Sequence, residues 1–308
     1  MHRLCLVPLF AFPILAQLRG AAVFPVTSEI ASWGEGAFIG GKRVAGGFFS
    51  RGGCITDWNG DGQADLILNE IEAGEPDGAI GKMVALLAPD WRYELIDTGA
   101  SFRDCLGLEL HSRRGVLITH RQMQLRFYQR TSGRKPNYRE IYSIYTASAQ
   151  SGLAQADIDG DSRPDLLHGN YWLKAPEKFD LGWRLFALHT WFDTPRSAMV
   201  RIATAHLNGK LVVVEAESEA SPARLAWFEP RADPHRLWIQ HDIKVKGGLH
   251  KPQVLVSDGD GTVLVGEDNG PGSRLLRVTL ATGAVENVSR SRGYLAASSG
   301  GSAIAERK

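Results

Sequence analysis

Short runs of alternating apolar and polar residues recur along the chain, separated by turns rich in glycine, asparagine and aspartate. One run of this kind, a strand, a turn and a second strand, covers residues 53–70 ("GCITDWNGDGQADLILNE"), and similar runs cover 106–120, 202–217 and 254–268. Each is followed by another pair of strand-like segments, such as "AWFEPRADPHRLWIQHDI" at 226–243. The pattern therefore predicts units of four short strands that repeat about every fifty residues.

A four-stranded unit of this length cannot bury both of its faces alone, so the repeat predicts the blades of a β-propeller over residues 17–308. Dividing the chain by the repeat favours six blades, with five or seven as alternatives. Residues 22–45 supply strands before the first complete unit, and residues 294–306 form only half a unit. We expect these two segments to share one blade, which would close the ring and remove two exposed sheet edges.

Two turns of the repeat carry an unusual number of acidic side chains. In "DWNGDGQAD" oxygen-bearing side chains occupy alternate positions, glycines permit a tight turn, and a backbone carbonyl is expected near Gln63. "DIDGDSRPD" repeats the arrangement one hundred positions later, with Arg163 in the place of Gln63. A hard cation that takes six to eight oxygen ligands suits this spacing, and calcium is the natural candidate.

The two loops resemble those of FG-GAP or VCBS repeats, which are extracellular propeller units with the motif D-x-[DN]-x-D-G-x-x-D. The resemblance implies that each loop joins the first two strands of a blade and holds calcium. The second loop departs from the motif at Ser162, and the turn at Asp258 and Asp260 is shortened, so no third complete site is expected. The ligands implied by the resemblance are Asp57, Asn59, Asp61 and Asp65 in one loop and Asp157, Asp159, Asp161 and Asp165 in the other.

Composition and the N-terminus indicate an exported globular protein. Lysine plus arginine (35) nearly balance aspartate plus glutamate (34), so no overall field favours a nucleic acid or an anionic membrane. Residues 1–16 have a short basic start and an apolar run, as in a signal peptide, and no later run is long enough to span a membrane. Cys54 and Cys105 then remain, either as a disulfide or as two buried thiols.

No catalytic motif is evident: the chain has no G-x-S-x-G, H-E-x-x-H or C-x-x-C sequence. Long basic side chains stand just before the first strands of successive units and predict a basic funnel near the propeller axis. Such a funnel would attract an acidic glycan, a phosphate or an acidic protein loop, unless the charges are simply solvated or paired with Asp104 and Glu109. The funnel residues are Arg51, Arg103, Arg196 and Lys251, with Gln150 at the equivalent position of one unit.

These features predict a secreted, calcium-binding propeller that acts as a carbohydrate-binding, protein-binding or adhesion module. The alternative is a lyase or hydrolase that acts on polysaccharides or sugar acids in the central funnel and uses Arg51, Arg103 or a histidine such as His250. A structural scaffold is the third possibility. Trp33 and Trp58 are candidates for exposed stacking on sugars.

Overall fold

The computed structural model of the chain describes residues 18–23, 29–121, 124–130, 137–143, 151–191, 199–295 and 305–306. The elements within these ranges are 24 β-strands. The chain divides into two compact units, one built mainly from residues 6–144 and the other mainly from residues 145–295. The predicted signal peptide lies outside the described ranges. Among the residues that are described, no helix is long and apolar enough to cross a membrane.

The first sheet has six antiparallel strands in chain order. They are β1 (Leu18–Val23), β2 (Ile30–Ile39), β3 (Lys42–Thr56), β4 (Asp65–Ile71), β5 (Gly81–Leu87) and β6 (Arg92–Ala100). Strand β3 pairs with β2 through its first half and with β4 through its second half, where Thr56 lies opposite Asp65. The last four strands, β3 to β6, are the unit predicted from the sequence, and β1 and β2 extend it.

Trp33 of β2 is fully buried, and its indole N–H donates to the carbonyl of Ser50 at 3.0 Å. A Cβ at Gly53 would lie 2.6 Å from the Trp33 ring, so only glycine allows this packing. Trp58 is also buried, and its indole donates to Glu94 at 2.9 Å. The prediction that these two tryptophans are exposed for sugar stacking is wrong, because both fill the core between strands.

The second sheet follows in the same unit and has the order β10–β9–β8–β7. Its strands are β7 (Phe102–Leu110), β8 (Arg113–His120), β9 (Gln124–Gln129) and β10 (Asn137–Ser143). A disulfide between Cys54 of β3 and Cys105 of β7 joins the two sheets, with Cα atoms 5.3 Å apart. Of the two alternatives left open by the sequence, the structure shows the disulfide.

The unit containing residues 145–295 has three further four-stranded antiparallel sheets, each with its strands in chain order. The first contains β11 (Leu153–Ala156), β12 (Asp165–His168), β13 (Tyr171–Lys174) and β14 (Arg184–Ala187). The second contains β15 (Val200–Leu207), β16 (Lys210–Glu217), β17 (Leu225–Glu229) and β18 (Ile239–Asp242). The third contains β19 (Pro252–Ser257), β20 (Thr262–Glu267), β21 (Ser273–Thr279) and β22 (Ala284–Ser291).

Alternate residues of one strand pack into two different hydrophobic cores. In β16, Val213 packs in the cluster shared with β12 and β13, whereas Val212 and Val214 pack in the cluster shared with β19 to β21. In β4, Ile67 packs towards the second sheet, and Leu66 and Leu68 pack towards β2 and β5. Successive side chains of a strand point to opposite faces, so these sheets are apolar on both faces and need a neighbour on each.

The fold is an all-β propeller, as predicted, with five blades of four strands, the first of them extended by β1 and β2; five was a predicted alternative to six. β23 (Tyr294–Leu295) pairs with β24 (Ala305–Glu306) in a small separate sheet. Among the described residues the N-terminal strands β1 and β2 instead join the first blade. The predicted blade shared by both termini is therefore not seen in the described pairings, and residues 296–304 lie outside them.

Candidate metal centres and binding residues

The second acidic loop, residues 157–165, connects the first two strands of its blade, β11 and β12. The carboxylate of Asp157 accepts hydrogen bonds from the backbone N–H groups of Gly160 (2.9 Å), Asp161 (3.1 Å) and Ser162 (2.9 Å). Ser162 adopts a positive φ of 65°, the conformation for which the family motif has glycine. The turn is thus built around one carboxylate, as in an extended Asx-turn.

Asp165 closes the same loop at the start of β12 and has no exposed surface. Its two carboxylate oxygens accept from the backbone N–H groups of Ile158 (3.1 Å) and Ala175 (2.7 Å). Burial nevertheless raises the pKa of Asp165 to about 6, because the charged form loses its hydration. A nearby cation would stabilise the charged carboxylate and so offset its loss of hydration.

Three carboxylates of this loop converge. Asp157, Asp159 and Asp165 each offer an oxygen atom, and these atoms lie within 4.8 Å of one another. The Asp159 side chain is only 10% exposed, and its Oδ1 atom is buried without a hydrogen-bond partner among the described residues. A buried carboxylate oxygen without a partner carries an energetic cost that a bound cation removes. The donor set therefore fits a hard, oxygen-binding cation such as calcium.

Two basic side chains contact aspartates of this loop. The Lys174 ammonium contacts Asp159 and also lies 2.9 Å from Oδ2 of Asp161, and the Arg163 guanidinium pairs with Asp161. Of the predicted side-chain ligands in this loop, Asp161 is therefore engaged with Lys174 and Arg163 and is outside the three-carboxylate group, whereas the ligand expected at Arg163 is its backbone carbonyl and stays a prediction. Lys174 was not expected from the sequence, because it comes from β13 and only strand pairing brings it to the loop.

The first acidic loop, residues 57–65, has the same backbone scaffold between β3 and β4. Asp57 accepts from the N–H groups of Gly60 (2.8 Å), Asp61 (3.1 Å) and Gly62 (3.1 Å). The buried Asp65 accepts from the N–H groups of Trp58 and Ala88, both at 2.9 Å, and burial raises its pKa. The two predicted loops are therefore equivalent in their backbone geometry.

The side chains of the first loop differ from those of the second. Asn59 replaces Asp159, and its amide donates to Asp61 at 2.8 Å. Asp61 also accepts from the N–H of Gln63 at 2.7 Å, and these hydrogen bonds lower its pKa. The Arg114 guanidinium, from β8, pairs with Asp57. In the first loop, the amide of Asn59 therefore takes the place of one of the three converging carboxylates, and an arginine pairs with Asp57.

The shortened turn at Asp258 and Asp260 has a different arrangement. The carboxylate of Asp258 pairs with the Arg277 guanidinium at 2.9 Å, and the backbone N–H of Asp258 donates to the carbonyl of Thr262 at 2.8 Å. The turn is a plain hairpin, and an arginine already neutralises its first aspartate.

Two of the predicted funnel residues, Arg51 and Arg103, meet at one aspartate in the unit containing residues 6–144. The backbone N–H of Arg51 donates to Oδ1 of Asp77 at 2.9 Å, and its guanidinium lies 3.7 Å from Oδ2. Arg103 donates to the backbone carbonyl of Asp77 at 3.0 Å. Arg19 of β1 joins them, 3.4 Å from Oδ1 of Asp77. We call these four residues the Asp77 cluster.

Lys251 is exposed immediately before β19 in the second compact unit, with a positive φ of 45°. Arg196, as well as Gln150, lies outside the described residues. Asp77 and Arg19 were not expected from the sequence, since Asp77 belongs to the loop after β4 and reaches the arginines only because that loop folds against Arg51 of β3 and Arg103 of β7.

Comparisons with known proteins address the fold. No family model and no curated protein matches the chain. Among solved structures, the extracellular domain of a hybrid two-component system from B. thetaiotaomicron is similar with a TM-score of 0.56 and 13% identity, over 92% of this chain and 36% of that chain.

Two further structures are similar at lower scores. They are the WD40 domain of SCAP from fission yeast (TM-score 0.46, 8% identity, 88% of this chain and 75% of that one) and the V. cholerae biofilm matrix protein Bap1 (TM-score 0.36, 12% identity, 90% and 56%). The chain thus spans about a third of the length of the B. thetaiotaomicron structure. At such low identity the likeness concerns the fold alone.

Proposed function

We propose that this protein is an exported, calcium-binding β-propeller of the FG-GAP or VCBS kind that acts as a binding module for an acidic glycan or an acidic protein segment. The observation that supports the metal site is the convergence of Asp157, Asp159 and Asp165, in which the buried Oδ1 of Asp159 has no hydrogen-bond partner in the part of the chain that the structure describes. The Cys54–Cys105 disulfide supports export, because such bonds persist in oxidising compartments.

Calcium would be held by Asp157, Asp159 and Asp165 in the second loop and by Asp57, Asn59 and Asp65 in the first. When bound, calcium supplies positive charge that offsets the repulsion between the carboxylates and links the loop to the start of the second strand. The chain itself already fixes the loop backbone through Asp157 and Asp165. The metal's role is therefore to stabilise the blade.

We expect calcium, added to chelator-treated protein, to raise the melting temperature in a concentration-dependent way, because it binds the native state preferentially. At a hundredfold excess over the dissociation constant the gain is about 2.7 kcal/mol. Asp159→Ala should remove much of it, and Lys174→Met should increase calcium affinity, because the Lys174 ammonium competes for the same carboxylate. Differential scanning fluorimetry and calorimetric titration measure both effects.

Asp260→Ala, in the shortened turn, is the matched control and should respond to calcium like the wild type. If neither the wild type nor Lys174→Met responds to calcium, the acidic loops are hydrated turns with Lys174 as their permanent cation, and the metal proposal fails.

The Asp77 cluster supports an acidic ligand. Three arginines approach one aspartate of the chain: Arg51 lies in the second half of β3 and Arg103 at the start of β7, the first strands of adjoining blades, and Arg19 lies in β1. Guanidinium groups bind carboxylates, sulfates and phosphates through paired hydrogen bonds. Asp77 therefore presents to Arg19 and Arg51 the same chemistry as an acidic ligand group, and Arg103 lies beside them on the Asp77 backbone carbonyl.

We expect a sulfated or carboxylated polysaccharide, such as heparin or polygalacturonate, to bind with an affinity that falls as salt rises, since clustered charges act together within about 10 Å at 0.1 M salt. The double variant Arg51→Ala/Arg103→Ala should lose most of this binding. Asp77→Asn should bind more tightly, because the competing carboxylate is gone. Neutral dextran is the reference ligand in these titrations.

The control for overall charge is Lys210→Ala/Arg236→Ala, which removes two exposed cations from the other unit. Equal losses in both double variants would show binding by general charge, and no binding of either polysaccharide would favour the scaffold alternative. A hydrolase remains the second candidate, and one observation, the Ser221–His250 pair, favours it.

A further inference from the structure

Ser221 and His250 form a hydrogen-bonded pair in the second compact unit. Ser221 follows β16, His250 precedes β19, and Oγ of Ser221 lies 2.7 Å from Nδ1 of His250. The other ring nitrogen, Nε2, lies 3.0 Å from the backbone carbonyl of Gly247. A carbonyl oxygen only accepts, so Nε2 carries the ring proton, Nδ1 is left as an acceptor, and the Ser221 hydroxyl donates to it.

Backbone hydrogen bonds hold the two segments that carry the pair. The N–H of Ala223 donates to the carbonyl of Leu249 at 2.7 Å, and the N–H of Lys251 donates to the carbonyl of Ala220 at 2.9 Å. These two bonds flank Ser221 on one segment and His250 on the other. The short serine–histidine distance is therefore built into the pairing of the main chain.

Further contacts hold the imidazole ring and the backbone of the loop that carries it. A Cβ at Gly248 would lie 3.2 Å from Cε1 and 3.3 Å from Nε2 of His250, so the ring lies directly against this glycine. The N–H of His250 donates to Glu267 at 3.0 Å, and Glu267 pairs with Arg274. Arg274 in turn donates to the carbonyls of Gly248 and, at 3.0 Å, Lys246. The loop that orients the ring is thus fixed by a buried ion pair.

We propose that Ser221 is a nucleophile and His250 its general base, with the Gly247 carbonyl as the group that orients the imidazole, and that the protein hydrolyses small carboxylic esters. A nucleophile, a base within hydrogen-bond reach and a third group that orients the base are the parts that acyl transfer requires. Ser221 is exposed, so the substrate class is an ester that projects from a larger molecule, such as an O-acetyl group.

In the first step Nδ1 of His250 takes the hydroxyl proton as Oγ of Ser221 bonds to the ester carbonyl carbon, whose π electrons move to oxygen. The tetrahedral intermediate collapses, the bond to the alcohol oxygen breaks, and that oxygen takes the proton from Nδ1. Water then attacks the acyl-serine with His250 again accepting the proton, and Ser221 leaves with that proton as the carboxylic acid is released. Water is the only co-reactant.

The test uses the whole protein, a fluorophosphonate probe and 4-nitrophenyl acetate. We expect the probe to modify Ser221, as located by peptide mass spectrometry, and Ser221→Ala to abolish this adduct. Both Ser221→Ala and His250→Gln should lower esterase turnover about 100-fold or more, the usual contribution of a nucleophile and its base. Gly248→Ala should lower turnover as well, because its methyl group displaces the His250 ring.

Ser257→Ala and His206→Gln, at exposed positions of β19 and β15, are the matched controls and should retain full turnover and labelling. Circular dichroism confirms that each variant is folded. A probe adduct at another serine, or wild-type turnover in folded Ser221→Ala or His250→Gln, would overturn the proposal.

Discussion

At the scale of single residues, His168 shows how strongly burial alone changes chemistry. It lies in β12 with no exposed surface, and neither ring nitrogen has a hydrogen-bond partner among the described residues. Burial lowers its pKa to about 3, because the charged imidazolium would lose its hydration without any compensating partner. The native state therefore contains a neutral histidine at pH values where the unfolded chain is already protonated.

This difference predicts a pH-dependent stability. The folded pKa of His168 lies below the unfolded value of 6.5. The contribution linked to this residue is therefore fully present above pH 6.5, and the free energy of unfolding falls as pH drops from 6.5 towards 3. We expect His168→Leu to be more stable than the wild type, with a gap that grows by about 1.4 kcal/mol per pH unit below 6.5. Urea unfolding at pH 7, 6 and 5 measures the gap.

His206→Gln, at an exposed position of β15, should leave the pH dependence of unfolding as in the wild type. A constant gap between His168→Leu and the wild type from pH 7 to pH 5 would contradict the assigned burial effect.

At the scale of elements, the disulfide ties β3 to β7, the first strands of adjoining blades. Cys54 and Cys105 are both buried and are 51 residues apart in sequence. The sequence left open whether the two cysteines form a disulfide or stay as two buried thiols. Glycines decide this, because a Cβ at Gly107 would lie 2.6 Å from the Ile55 carbonyl, so the side chain of any other residue would force β3 and β7 apart.

Removing the disulfide should destabilise the unit containing residues 6–144. Closing a loop of this length lowers the entropy of the unfolded chain, which corresponds to about 4 kcal/mol. We expect Cys54→Ala/Cys105→Ala to unfold at a clearly lower urea concentration than the oxidised wild type. Wild-type protein treated with reductant is the control for the loss of the sulfur atoms, and a midpoint that does not change on reduction would show that the bond contributes nothing to stability.

The acidic loops show, also at the scale of elements, what a local pattern can predict. The resemblance implied that the loops at 57–65 and 157–165 each join the first two strands of a blade, and the structure confirms this position for both. It did not predict Lys174 or Arg114, which belong to neighbouring strands and enter the loops through pairing and packing. A motif contains the ligands that are close in sequence and none of the charges that fold against them.

At the scale of the whole molecule, the repeat length and the alternation of apolar residues by themselves determined the all-β propeller. They suffice because a four-stranded unit of about fifty residues cannot bury its apolar side chains alone and must stack on neighbouring units. The blade count and the pairing of the terminal strands were decided only by the tertiary structure: β1 and β2 extend the first blade, and no periodicity shows where a β-strand at the end of a chain will pair. The same holds for the candidate sites. The Asp77 cluster and the Ser221–His250 pair join residues that are 26 or more positions apart, and only the folding of the chain brings such residues within hydrogen-bond distance.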